Sequence, residues 1–142
     1  MSADDRIAAL ARMTAGTMVE ALGIRVSALA DGTASGEMDY REDLRQSGGL
    51  FHAGAILALV DSVATSAALT VVSPAGEFDL SRFPLAIQTS SNLVSNVDCG
   101  KLVAVAEAVH RGRTTIVVET KVRDGSGKLI ATTSTTLLVP GR

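Results

Sequence analysis

Residues 54–73 of this 142-residue chain form a run that is apolar almost throughout. The run follows a glycine-rich turn and ends before Pro74, which cannot continue a helix, so the pattern predicts a single long helix. A helix that is apolar on every side has to be enclosed by other structure. Because no other part of the chain is comparably long and apolar, we expect the rest of the chain to wrap around this helix.

Asp61 is the only formally charged residue between Arg45 and Glu77, and it lies more than two turns into the predicted helix. An ionised carboxylate is costly to bury without partners. It is either a structural carboxylate bonded to nearby backbone or a group held for chemistry, and we favour the second because isolated ionisable groups are often functional. Thr65 lies four residues later on the same helix face. Together the two side chains can position a water molecule or support direct attack.

The central helix is close to the ~20 residues needed to span a bilayer. However, its middle carries one charge and several hydroxyl groups, which are strongly disfavoured in a lone membrane span. We therefore expect a core helix and no membrane partner. The net charge of -2 provides no basic field for nucleic acid. The opening residues MSADDR lack the features of a signal peptide, so the cytoplasm is the expected location.

The remaining patterns predict one α+β domain over residues 1–142. Residues 3–22 have helical spacing and predict one packing helix. Two alternating runs flank Asp31-Gly32 and predict a β-hairpin, with Val26, Ala28 and Ala30 on one face of its first strand. Four further strands are expected to form a consecutive antiparallel meander, at about 84–94, 101–111, 113–124 and 128–139. This order suggests a single antiparallel sheet curling around the central helix.

The segment QSGGLFHAG, residues 46–54, leads into the helix. The backbone N–H groups of Ala53 and Gly54 would lie at the helix N-terminus, where free donors and the positive dipole end favour a developing oxyanion. A simple tight loop explains the same pattern equally well. His52 and Asp61 are separated by roughly 13 Å along the helix, at ~1.5 Å per residue, which excludes a direct dyad.

The run LRQSGGLFHAGAILALVDSVAT resembles the signature of the hotdog-fold acyl-CoA thioesterases, in which a glycine-rich HGG turn enters the central helix and an acidic residue follows nine positions after the histidine. The run VAVAEAVHRGRTTIVVETKVRDGSGKLIATTSTTLLV is similar to their C-terminal strands. The resemblance extends from about residue 20 and is greatest to the hydroxybenzoyl-CoA and phenylacetate-pathway (PaaI-like) thioesterases. It implies a hotdog fold, with an antiparallel sheet around a long central helix and an N-terminal packing helix.

The resemblance also implies roles for individual residues. Asp61 would act as nucleophile or as general base for water, and Thr65 would help to place the water. The Ala53 N–H, with Gln46 nearby, would polarise the thioester carbonyl. His52 would hold the turn through hydrogen bonds.

For the rest of the substrate, the resemblance implies that Gly54, Arg113 and Thr114 contact the acyl-CoA, the last two at the nucleotide, where a guanidinium suits phosphate. CoA is then part of the substrate, and no metal or redox cofactor is expected. The apolar content of 46% suggests a further buried surface between subunits. We expect a homo-oligomer built from dimers that share a continuous sheet, in particular a tetramer, with the site between subunits.

Three positions depart from the family pattern. Ala53 replaces the second residue of the HGG turn, and its methyl group narrows the space beside the thioester. Asp61 is one methylene shorter than the Glu of the hydroxybenzoyl-CoA branch, although the phenylacetate branch carries Asp. Ala86 replaces a residue that is often polar in that branch, which leaves Thr65 to supply the hydroxyl.

The leading hypothesis is therefore an acyl-CoA thioesterase. A dehydratase of the same fold is disfavoured because its proline-bearing signature is absent, and a non-catalytic acyl-CoA-binding or sensing protein is the alternative from another class. Both aryl and short-to-medium aliphatic acyl groups remain open. An apolar tunnel for either is expected to be lined by Leu50, Phe51, Leu57 and Val60.

Overall fold

A computed structural model of the chain describes residues 1–141. The helices are α1 (Ala3–Thr14), α2 (Met18–Ala21) and α3 (Ala53–Val72). The strands are β1 (Arg25–Ala30), β2 (Thr33–Asp39), β3 (Leu85–Leu93), β4 (Lys101–Arg111), β5 (Thr115–Asp124) and β6 (Leu129–Leu138). All six strands form one antiparallel sheet in the order β1-β2-β4-β5-β6-β3, and every strand contacts α3. The predicted hotdog fold is confirmed.

The strand order differs from the predicted meander at β3. Strands β4, β5 and β6 are sequential neighbours, but β3 pairs with β6 at the opposite edge of the sheet. The chain crosses over through residues 94–100, which are bonded to the turn that enters α3. Asn96 donates from its side-chain amide to the Phe51 carbonyl at 2.8 Å, and the Phe51 N–H donates to the Val97 carbonyl at 3.3 Å. These bonds hold the crossover against the turn that enters α3, so residues 98–100 do not close a β3–β4 hairpin.

The predicted helix over residues 3–22 is two helices. Ser2 and Asp5 form a capping box that begins the first helix. The chain then breaks at Gly16, whose φ of 76° lies in the left-handed region that favours glycine. Thr17 starts α2 by accepting a hydrogen bond from the Val19 N–H. The two helices are therefore separate elements, divided at residues 15–17.

The β1–β2 hairpin is confirmed, but its first strand presents a different face to the core. A register shift between Val26 and Ala28 leaves Ser27 as an extra residue. Beyond this bulge the alternation is inverted, as one inserted residue requires. Leu29 is therefore buried, whereas Ala28 and Ala30 are exposed.

The central helix α3 is buried on its sheet side. It is exposed to solvent along one open stripe, which includes Gly54 and Asp61. Ile56, Leu59 and Val63 are completely buried against the sheet. The expected enclosure on every side is wrong for the N-terminal half, because Gly54 and Asp61 are exposed in the single chain. By length and composition α3 is the one helix within residues 1–141 that is apolar enough to cross a membrane, but 67% of its apolar window is buried inside the fold.

The N-terminal helix α1 is fastened to the far end of α3 by Arg6. Its guanidinium donates to the carbonyls of Ser73 and Pro74, the second at 3.4 Å. The same group lies 4.5 Å from the ring centroid of Phe78, in a cation–π arrangement. A positive charge is favourable at a helix C-terminus because the dipole end and the free carbonyls are negative.

We expect Arg6→Ala to lower the free energy of unfolding by about 1.5–3 kcal/mol, the usual range for a hydrogen bond to a charged group. The physical reason is that α1 loses its fastening to the carbonyls that end α3. Urea denaturation measures the change. Arg12→Ala, an exposed arginine on the same helix, is the matched control and should stay within about 0.5 kcal/mol of the original. Equal effects of the two substitutions would contradict the role given to Arg6.

Candidate active site

His52 is the N-cap residue of α3. Its Nδ1 atom accepts a hydrogen bond from the Gly54 N–H at 2.8 Å. An imidazole nitrogen that accepts carries no proton, so in the neutral ring the proton is on Nε2. The Nδ1 atom is thus occupied in holding the turn and is not free to act as a base.

The cap leaves one free backbone donor at this turn. The Gly54 N–H is taken by His52, whereas the Ala53 N–H meets no acceptor within residues 1–141. Of the two donors expected from the sequence, only that of Ala53 is available to an external oxygen. It lies at the positive end of the α3 dipole, which favours a developing negative charge.

The side chain of Gln46 is in the same loop and is partly fixed. Its carbonyl oxygen accepts from the Gly48 N–H, and its own backbone N–H donates to Leu50 at 2.8 Å. The Tyr40 hydroxyl donates to the Gly49 carbonyl at 2.7 Å, and this bond further fixes the loop. The amide nitrogen of Gln46 has no partner in the described part of the chain. It is therefore available as a second donor beside the helix entry.

Asp61 lies on the open stripe of α3 and is exposed in the single chain. Its carboxylate makes no ion pair and accepts no hydrogen bond from residues 1–141. The neighbouring protein removes water from one side and raises the pKa of Asp61 above its usual value of 3.8. A purely structural carboxylate would be expected to accept backbone hydrogen bonds, and this one does not.

The hydroxyl groups around Asp61 fall into two classes. Ser62 donates to the Ala58 carbonyl and Ser66 to the Ser62 carbonyl, each at 2.8 Å, so both are satisfied within the helix. The Thr65 hydroxyl has no such bond among the described residues. Asp61 and Thr65, which share a face of α3, thus both have free hydrogen-bonding capacity.

Both side chains line a cavity of about 600 Å³ between α3 and the N-terminal part of the chain. Its walls come from α1, α2, β1, α3 and the segment before β3: Ile7, Leu10, Ala11, Met13, Thr14, Thr17, Val19, Glu20, Gly23, Ile24, Arg25, Val26, Asp61, Ser62, Thr65, Ser66, Leu69, Leu80 and Phe83.

None of the four residues expected to line an apolar tunnel borders this cavity. Phe51 and Val60 are instead 0% and 1% exposed and belong to the core beneath α3. The sequence does carry a signal for the lining of this cavity, in the apolar face formed by Ile7, Leu10 and Met13 of α1. That signal indicates packing but does not say that a cavity remains beneath the helix.

Arg113 and Thr114 are exposed in the turn between β4 and β5. Neither borders the cavity, and Arg113 forms no ion pair within residues 1–141. The Thr114 carbonyl accepts from the Val139 N–H at 2.9 Å, which fixes the turn against the end of the sheet. A single chain therefore does not bring this turn together with Asp61.

The free donor at Ala53 and the carboxylate of Asp61 are also too far apart to act on one carbonyl within one chain. Eight residues along a helix correspond to roughly 12 Å. Groups that both contact a reacting carbonyl, each at about 3 Å, have to be much closer to each other. The described residues contain no cluster of His, Cys, Asp or Glu suited to hold a metal ion.

Comparison with known proteins gives consistent matches. The model of the thioesterase superfamily matches residues 48–131. The 1,4-dihydroxy-2-naphthoyl-CoA hydrolase of Listeria monocytogenes is 26% identical over 120 residues, which cover 84% of this chain and 93% of the relative. A crystal structure of a mutant of the thioesterase PA1618 from Pseudomonas aeruginosa has a TM-score of 0.83 at 25% identity, covering 94% of this chain and 92% of that one. The conserved protein PA5202 from the same organism has a TM-score of 0.79 at 30% identity, covering 90% and 97%.

Proposed function

This chain belongs to the thioesterase superfamily and is an acyl-CoA thioester hydrolase, and on that premise we propose that it cleaves small aryl or short-to-medium-chain acyl-CoA to the free acid and CoA with Asp61 as the reacting carboxylate. The observation that carries the proposal is the state of Asp61. It is unpaired, borders the cavity beside the free hydroxyl of Thr65, and has its pKa raised by desolvation.

In the proposed reaction, the ionised Asp61 takes a proton from a water molecule that Thr65 positions. The water oxygen forms a bond to the thioester carbon, the C–S bond then breaks, and the CoA sulfur leaves and is protonated. If Asp61 instead attacks directly, its oxygen bonds to the thioester carbon, the C–S bond breaks, and the CoA thiolate leaves and is protonated. Water then hydrolyses the resulting anhydride to the free acid and Asp61. In both routes the Ala53 N–H and the Gln46 amide stabilise the negative charge on the carbonyl oxygen.

We propose that these groups are supplied by two subunits. The separation of Ala53 and Asp61 along α3 prevents one chain from providing both, whereas two α3 helices running in opposite directions can bring one Asp61 to the Ala53 of the partner subunit. The edge strand β3 supports such a dimer, since Leu85 and Ile87 are 50% and 57% exposed on an unpaired sheet edge. A pair of these dimers would form the expected tetramer.

The test of the proposed activity is incubation with a panel of aryl and aliphatic acyl-CoA thioesters in the presence of a thiol reagent that detects free CoA. Release of CoA that saturates with substrate is the expected result. Saturable binding without release would contradict hydrolysis and favour a sensor, for which the extra methyl group of Ala53 at the helix entry provides a physical reason.

We expect Arg113→Ala to raise the KM for acyl-CoA by about tenfold, which corresponds to ~1.4 kcal/mol. The proposed reason is that the exposed guanidinium contacts a phosphate of the CoA nucleotide. The KM for a pantetheine thioester, which lacks the nucleotide, should change much less. Steady-state kinetics on both substrates measure the difference, with Arg12→Ala as the control for general loss of surface charge. Equal losses on the two substrates would assign Arg113 to structure.

A further inference from the structure

The cavity beside Asp61 continues along α3 beneath the N-terminal helix α1. We propose that it is a binding site for a saturated acyl chain and that the preferred substrates carry about eight to ten carbons. The reaction in this inference depends on the proposed function, but the binding of the chain does not. Four observations support it: the charge of the walls, their aromatic content, the length of the cavity and its volume.

Among the residues that the structure describes, Arg25 is the one positively charged residue of the walls, and it is already paired. Arg25 forms ion pairs with Glu37 at 3.1 Å and Asp39 at 3.2 Å. The Glu20 carboxylate accepts from the Gly16 N–H at 3.3 Å. Most other lining side chains are aliphatic. The described part of the cavity wall therefore offers no free positive charge to an ionised acyl group and favours plain hydrocarbon.

The lining contains a single aromatic side chain, Phe83, which is 37% exposed near the segment that leads into β3. A flat aryl ring is held best by stacked or edge-on aromatic neighbours. A flexible alkyl chain needs only apolar contact, which Ile7, Leu10 and Leu69 provide. The walls thus favour an aliphatic over an aryl acyl group.

The dimensions suit a medium chain. Asp61 and Leu69 both border the cavity and are eight residues apart, which corresponds to roughly 12 Å of helix. An extended chain advances roughly 1.2 Å per bond, as an extended backbone does, so about ten bonds fill this length. At roughly 30 Å³ per carbon, about the share of one water molecule in the liquid, ten carbons occupy about half of the 600 Å³.

Ser66 is the position from which this length can be tested. It borders the cavity, is 4% exposed and lies five residues beyond Asp61, or roughly 7.5 Å deeper. Ser66→Leu adds volume at this depth and should leave room for only about six carbons. Ser66→Ala removes the hydroxyl without adding volume and is the matched control.

The experiment measures kcat/KM for unbranched acyl-CoA thioesters of increasing length and for benzoyl-CoA. For the unaltered protein we expect kcat/KM to rise by up to about fourfold per carbon, the gain from burying one methylene, and to level off near ten carbons. Ser66→Leu should lower kcat/KM for decanoyl-CoA by at least about tenfold and that for butyryl-CoA by less than twofold. Ser66→Ala should keep the original profile. A flat profile, a preference for benzoyl-CoA, or equal losses on both chain lengths would overturn the inference.

Binding of the thioethers S-decyl-CoA and S-butyl-CoA separates this inference from the proposed function. Tighter binding of the decyl compound that Ser66→Leu abolishes supports the acyl-chain site, even if no acyl-CoA is hydrolysed. Equal binding of the two thioethers, together with active hydrolysis, overturns the site and leaves the function standing. If Ser66→Leu fails to fold, Met13→Trp narrows the cavity from the α1 side and is held to the same outcomes.

Discussion

Asp61→Asn is expected to lower turnover by at least about 100-fold, the low end of the contribution of a general base. Asparagine has nearly the same volume but provides neither the negative charge nor the basic oxygen that attack or proton transfer requires. Steady-state hydrolysis of a saturating acyl-CoA measures the loss. Asp98→Asn, an exposed acid in the β3–β4 crossover, is the matched control and should keep its activity. Retained turnover in Asp61→Asn would remove Asp61 from the mechanism.

The same substitution should not destabilise the protein, because Asp61 accepts no hydrogen bond within the described chain. Its pKa is raised in the folded state by desolvation, so its ionisation disfavours folding. Below the unfolded-state pKa of 3.8, Asp61 is protonated in both states and its full contribution to the free energy of unfolding is present. That contribution is lost as the pH rises through the folded-state pKa. Asp61→Asn should therefore gain stability relative to the unaltered protein as the pH rises over this window. A large drop in Tm at neutral pH would point to a structural carboxylate.

Ile87→Lys is expected to prevent the proposed dimer from forming and to lower turnover by about 100-fold, the scale on which a misplaced catalytic group slows a reaction. A lysine on an edge strand is a common device against edge pairing. Without a partner, one chain cannot bring the Ala53 donor and the Asp61 carboxylate to the same carbonyl. Light scattering and hydrolysis on the same preparation test both parts.

Val105→Lys is the matched control for this experiment. Val105 is 53% exposed, close to the 57% of Ile87, but it lies on β4 inside the sheet. It should leave the dimer and its activity intact, even if it separates a tetramer into dimers. A stable monomer of the unaltered protein, or a fully active Ile87→Lys monomer, would contradict the proposed two-subunit site.

Local patterns in the sequence predict most of the fold because each element has a local cause. The apolar run predicts α3, Asp31-Gly32 predicts the first hairpin, and the runs rich in Val, Ile and Thr predict the strands. The partner of β3 is not predictable in this way, since strand pairing is set by tertiary packing. Asp98 and Gly100 are residue types typical of a turn and by themselves favour a β3–β4 hairpin. The bonds from Asn96 to the α3 entry override this local preference.

In the candidate site, too, local sequence patterns predict some features, whereas others depend on tertiary packing. Asp61 and Thr65 can be found from sequence because a charge and a hydroxyl four residues apart are conspicuous in an apolar helix. The loss of the Gly54 donor depends on how the His52 ring is oriented, which no sequence pattern specifies. The cavity depends on the distance between α1 and α3, elements about fifty residues apart in the chain. Whether a cavity remains between two packed helices depends on how they are arranged in the folded protein.

The pairing of β3 with β6 also constrains how the chain acquires its structure during synthesis. A nascent chain emerges from its N-terminus at about 5–20 residues per second, so β3 is complete well before the strand that it pairs with. Until β6 emerges, the apolar side chains of α3 that β6 covers stay accessible to solvent. Contacts between distant parts of a chain slow folding, and exposed apolar surface in the meantime favours aggregation. The last of the six strands to be synthesised is therefore the one that completes this sheet, and chain truncation before residue 129 should leave an aggregation-prone product.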